Sequence, residues 1–178
     1  MKENRLLNTA AVAGLALGAI STAYMFLTQF ISTLEIPVIV STLINAILWC
    51  AKFAGCIWLM MFYMKKVVKE NPEATNGTTF RFGVLVSLLS ALIFAAATFA
   101  NIAYISTDLM AEQFNSAVEM YSKFLDSNSM NMIDSMMERM PQISFFSNLI
   151  YCTIYGTILS GILSRSIPSR DPFADNNR

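Results

Sequence analysis

Positions 36 to 64 read IPVIVSTLINAILWCAKFAGCIWLMMFYM and carry one charge, Lys52. A hydrocarbon core of about 30 Å takes about 20 helical residues at about 1.5 Å each. This run is long enough to cross. In lipid its backbone must satisfy its own hydrogen bonds, so it is a helix. Three more runs meet the same test. No charge falls between Leu6 and Leu34, between Phe82 and Thr107, or between Met140 and Ser164. The sequence therefore predicts an all-α polytopic membrane protein with four transmembrane helices, at about 8–31, 37–64, 83–107 and 143–164, in a single membrane domain over 1–178.

Composition points the same way. Hydrophobic residues make up 55% of the chain and charged residues 13%, with a mean hydropathy of +0.52. A soluble domain carries about 25% charged residues, and a soluble bundle of four all-apolar helices would leave too little polar chain to cover them. Lys2 and Arg5 resemble the start of a signal peptide. Its apolar region, however, runs only about 7–15 residues, so the first run is expected to stay as a helix.

The 12 basic residues equal the 12 acidic ones, which gives no basic patch for nucleic acid. There is no His, so the commonest general base and metal ligand are missing. No phosphate-loop, dinucleotide, zinc-protease, nucleophile-elbow or calcium-loop pattern occurs. A non-enzyme without a cofactor is expected.

Orientation follows from basic residues outside the spans. Lys2, Arg5, Lys65, Lys66, Lys69, Arg81, Arg165, Arg170 and Arg178 fall on one side. Lys123 and Arg139 fall on the other, with Glu35, Asp108, Glu112, Glu119, Asp126, Asp134 and Glu138. Nine against two places both termini in the cytoplasm, as the even number of spans requires. In the cytoplasmic loop Asn71-Pro72 and Asn76-Gly77 are turn signals. Pro37 and Pro141 suit the first turns of helices two and four. Residues 165–178 are expected to be a disordered cytoplasmic tail.

Residues 108–142 form the outer segment, expected as an amphipathic helical hairpin between helices three and four. On a helical wheel Met110, Phe114, Ala117, Val118, Tyr121, Phe124 and Leu125 gather on one arc, with Asp108, Glu112, Glu119, Lys123 and Asp126 opposite. This first helix could continue helix three. Ser127-Asn128-Ser129 breaks it, and a second stripe follows at Met130, Ile133, Met136, Met137 and Met140. The two helices are expected to pack on each other over the bundle's mouth. Methionine side chains are adaptable, so Met110, Phe114, Tyr121, Phe124, Met136, Met137 and Met140 are also a candidate docking surface.

Lys52 lies near the middle of its span, 64 − 52 = 12 residues from the inner end. That is about 18 Å, beyond comfortable snorkelling to the interface. Such a Lys costs about 2.5–3.5 kcal/mol on the insertion scale, and no acid lies in any span. It is either held by hydroxyls and carbonyls between helices, or it is a site for a lipid phosphate or a partner's acid. Each helix also has one amide in its outer half, Gln29, Asn45, Asn101 and Asn148. A shared polar layer of these amides would act as interhelical glue or, less often, line a substrate site.

Small residues recur every four positions at Ala10, Gly14 and Gly18, and at Ser87, Ala91 and Ala95. Ala51 with Gly55 and Gly156 with Ser160 repeat the spacing. Only the first run is rich enough to carry weight, for folding or for dimerisation. Cys50, Cys56 and Cys152 all lie in spans and act as small apolar residues.

Thr79-Phe80-Arg81-Phe82-Gly83 leading into Val84–Leu92 resembles the entry to helix three in a bacterial membrane family known as domain of unknown function 4199. The stretch Phe145–Ser164, with Gly156, Ser160, Arg165 and the tail, is similar to that family's ending, and the Met-rich outer helices fit between. The resemblance implies a four-helix bacterial inner-membrane protein with no assigned activity. It also implies an accessory role beside a polyprenyl-phosphate glycosyltransferase, which would give Lys52 a lipid-phosphate partner.

Two functions from different classes are expected. One is a non-catalytic accessory or scaffold subunit of an inner-membrane complex, contacting membrane lipid and another membrane protein or a second copy. The other is a small transporter or lipid-handling protein working as an oligomer, with Lys52 and the amides lining a path. The first is favoured because one bundle of four helices is expected to be filled by its own side chains.

Overall fold

A computed structural model of the protein describes residues 3–34, 36–71, 74–121 and 127–167. Phe124 and the tail from 168 onward lie outside the described residues, as do the side chains of Met110, Phe114 and Tyr121. The described residues are helical almost throughout, with no strand. Helices α1 (Glu3–Ser32), α2 (Val38–Glu70), α3 (Asn76–Ala100) and α6 (Met140–Ser166) are the four long apolar ones, and the protein is a multi-pass membrane protein. A π turn (Asn101–Ile105) extends α3, and α4 (Thr107–Tyr121) and α5 (Ser127–Glu138) form the segment between α3 and α6. The "terminal end" of the bundle bears the start of α1, the end of α6 and the α2–α3 connection. The "hairpin end" bears the α1–α2 turn, α4 and α5.

The helices outrun the expected spans. α2 continues from Met64 to Glu70, where Lys66 and Glu70 make an i,i+4 pair at 3.9 Å. Absence of charge reports the thickness of the hydrocarbon, whereas helices end at caps. Asn76-Gly77, expected as a turn, is instead the first turn of α3. Thr75 is the cap: its hydroxyl accepts from the Thr78 backbone N–H at 3.3 Å, and the Thr75 N–H donates to the Thr78 hydroxyl at 3.4 Å. Pro141 does sit in the first turn of α6.

α3 is the centre of the bundle, packed along α6 on one side and α1 on the other. α2 packs on α1 and touches α3 and α6 less. Close approach is written in small residues. A methyl added at Gly14 would sit 2.7 Å from Leu89 Cβ, and one at Gly18 would sit 2.8 Å from Ile93 Cβ. Ala10 is fully buried on the same stripe. The α1 glycine run is therefore the seat of α3, a folding contact. The α3–α6 seam is reciprocal: Gly83 of α3 faces the Ser160 side chain of α6, and Gly156 of α6 faces Ser87 of α3, whose Cβ lies 2.5 Å from an added methyl. These spacings carry as much weight as the α1 run. Gly55 differs, since nothing lies within 4 Å of its added Cβ, and Ala51 is exposed. The Ala51/Gly55 pair is not a helix contact.

Among the described residues the shared core gathers at the terminal end. The core joins Ala10, Ala13 and Leu17 of α1, Met60, Met64 and Val67 of α2, Phe82 and Val86 of α3, Leu163 of α6, and Ile167 beyond it. All of α2's buried residues lie from Met60 onward, and all of α6's from Gly156 onward. Toward the hairpin end the buried residues belong to α1, α3 and its extension: Ile31, Ala95, Thr98, Asn101 and Ser106.

Candidate functional site

The middle of the bundle, next to the core, contains a cavity of about 200 Å³. All four long helices line it: Leu17 and Ser21 from α1; Trp49, Lys52, Phe53, Cys56 and Met60 from α2; Ser87, Ser90 and Phe94 from α3; Tyr151, Cys152, Tyr155, Gly156 and Leu159 from α6. The bundle is not filled by its side chains, contrary to the expectation that disfavoured a path. The reason is local: α2 leans on α1 and touches α3 and α6 less.

Lys52 stands in this cavity. Its Nζ lies 4.7 Å from the Tyr24 ring centroid on α1 and 5.4 Å from that of Phe94 on α3. The negative ring faces attract the ammonium but do not discharge it. Among the described residues no acid pairs with it; the ion pair found is Lys66–Glu70, outside the apolar run. The expected cage of hydroxyls and carbonyls is therefore mainly aromatic.

The cavity reaches the surface between α2 and α6 through a file of rings. Trp49 stacks on Phe53 at 5.2 Å, Phe53 meets Tyr155 at 5.6 Å, and Tyr155 stacks on Tyr151 at 6.5 Å. Trp49 and Tyr151 are 53% and 70% exposed, which places the file on the outer face of the bundle, toward the hydrocarbon. The i,i+4 pairs Trp49/Phe53 and Tyr151/Tyr155 were visible in the sequence, but aromatic residues facing lipid have the same spacing. Nothing in the sequence marked Tyr24, Phe94, Ser21 or Ser90.

The four amides do not form one layer. Asn101 Nδ2 donates to Gln29 Oε1 at 3.0 Å, Ser106 Oγ donates to Asn101 Oδ1 at 3.1 Å, and Gln29 Nε2 donates to Ser106 Oγ. This closed ring, with Asn101 and Ser106 buried, ties α1 to the end of α3. Asn148 instead donates to the Ser144 carbonyl of its own helix at 2.8 Å. Asn45 Oδ1 is buried with no partner among the described residues. Gln29 and Asn101 thus come together, Asn45 and Asn148 stay apart, and none of the four lines the Lys52 cavity.

Among the described residues α4 contacts the π turn and α5 contacts α6. Met136 is half exposed, whereas Met137 and Met140 are partly buried. Met120 and Met132, outside the expected stripes, are 72% and 67% exposed.

No curated protein and no solved structure matches the chain. A family described as "Protein of unknown function (DUF4199)" matches residues 10–165, which reach from within α1 to the last turn of α6 and take in α2, α3 and the segment between α3 and α6. On that match over most of its length, the chain belongs to the DUF4199 family.

Proposed function

We propose that the protein is a non-catalytic membrane protein that handles lipid, taking an amphiphile into the cleft between α2 and α6. The observation that carries this is the cavity itself: a space at the depth of Lys52, framed by aromatic rings on the side that faces hydrocarbon. Aromatic rings offer apolar area to a chain while tyrosine hydroxyls hold polar partners. On the family resemblance we assign the bundle to a bacterial inner membrane, and on the nine-to-two distribution of Lys and Arg we assign its terminal end to the cytoplasm.

The test is labelling in bilayers by a phospholipid with a photoreactive acyl chain, mapped by mass spectrometry. Labels are expected on Phe53 and Tyr155. Cys152→Trp, which fills the cleft, should abolish them and leave labels on Trp58, on the exposed face of α2. Equal labelling of Phe53 in both proteins would refute the reading. Tags at both chain ends, unreachable from outside intact cells, would support the orientation.

An accessory role in an inner-membrane complex is a second proposal, favoured by the outer segment. α4 and α5 expose Met120, Met132 and Met136, a surface that can adapt to a partner. The family resemblance extends that partner to a polyprenyl-phosphate glycosyltransferase. Purification in mild detergent, with and without residues 108–138, tests it: a stoichiometric partner should be lost with the segment.

A further inference from the structure

We propose that Lys52, with the Ser21 and Ser90 hydroxyls that line the same cavity, is the receptor for a phosphate group. The proposal rests on the cleft described above and names what the cleft takes.

Charge comes first. The spans hold no acid, so the ammonium of Lys52 leaves the cavity with a net positive charge. The rings of Tyr24 and Phe94 steady it without neutralising it. An uncompensated Lys at this depth is costly to the chain, and an anion in the cavity offsets that cost.

Shape comes second. The donors reach the cavity from three helices, Ser21 on α1, Lys52 on α2 and Ser90 on α3. A planar carboxylate offers its oxygens in one plane, whereas a tetrahedral phosphate directs them three ways and meets such a set. No carboxylate lines the cavity to repel it.

Size and access come third. A cavity of about 200 Å³ is smaller than the roughly 300–1,000 Å³ that encloses a drug-sized ligand. It holds a phosphate and a few atoms beyond, so the remainder of any larger ligand must leave through the aromatic file. Met60, Met64 and Phe82 close the terminal end. The phosphate therefore arrives either on a lipid, with its chain against Trp49 and Tyr155, or as a free ion.

Native mass spectrometry of the full chain in detergent separates these. Wild type, Lys52→Gln and Lys52→Arg are each mixed with dioleoyl phosphatidic acid, with dioleoylglycerol, and with phosphatidic acid plus inorganic phosphate. Wild type should retain phosphatidic acid over dioleoylglycerol. Lys52→Gln should lose about tenfold to a hundredfold in affinity for it, the worth of a hydrogen bond to a charged group. Lys52→Arg should keep it, because guanidinium also binds phosphate. Displacement by inorganic phosphate supports the site with a soluble source, and resistance to displacement supports it with a lipid source. Equal retention of both lipids, unchanged in Lys52→Gln, overturns the proposal while labelling of the cleft stands. Absence of cleft labelling would remove the lipid-handling reading, whereas inorganic phosphate bound by wild type and not by Lys52→Gln would still support the phosphate site.

Discussion

α3 and α2 have similar sequences in kind and opposite fates in the bundle. Buried residues make up 39% of the most apolar window of α3 and 6% of that of α2. What differs is the size of the residues on the faces. α3 offers Gly83, Ser87, Ala91 and Ala95 along one stripe, and its neighbours close on it to van der Waals distance. α2 offers Ile39, Leu43, Ile47, Trp49 and Trp58, which stand out into the surroundings. In lipid there is no hydrophobic drive to bury large apolar side chains, so small residues decide which helix is central.

Substitutions that move a residue across this contrast break it most. Gly83→Leu pushes a side chain into Ser160 and Met60. It should destabilise the bundle by about 1–3 kcal/mol or more, read as a fall in the unfolding temperature in detergent. Asn101→Ala opens the ring with Gln29 and Ser106 and should cost about 1–2 kcal/mol in the same assay. Lys52→Leu removes a mid-span charge and a cation–ring contact together. Its unfolding free energy should stay within about 1 kcal/mol of wild type, because the two terms oppose. At the small end, Gly55→Leu enters open space on α2 and should change stability by no more than about 0.5 kcal/mol. If Gly55→Leu proved as damaging as Gly83→Leu, α2 would have a packing partner in the membrane that the isolated chain lacks.

The number, type and order of the spans were legible in uncharged runs, because lipid imposes a length and a helical backbone on them. Helix ends were not, since Thr75 and the Lys66–Glu70 pair extend helices past the hydrocarbon. Lys52 was legible as the single charge in its run. Its surroundings were not: whether Tyr24 and Phe94 face lipid or an ammonium depends on how three helices are rotated, which uniformly apolar faces leave open. The π turn was not legible either. The outer helix could have continued α3 directly, but α3 takes one residue extra over Asn101–Ile105, and Ser106 N–H bonds the Asn101 carbonyl at 2.8 Å. That insertion resets the azimuth of everything after it.

The glycine run of α1 is spent. Ala10, Gly14 and Gly18 are sealed under α3 within one chain, so two copies cannot zip together along them as glycine-striped spans do. Any self-association in the bilayer has to use the bulky outward ridge of α2 or the outer flank of α6. Crosslinking reporters placed at Ile47 or Ile158, both well exposed, would register such a contact, while one at Gly14 would stay silent.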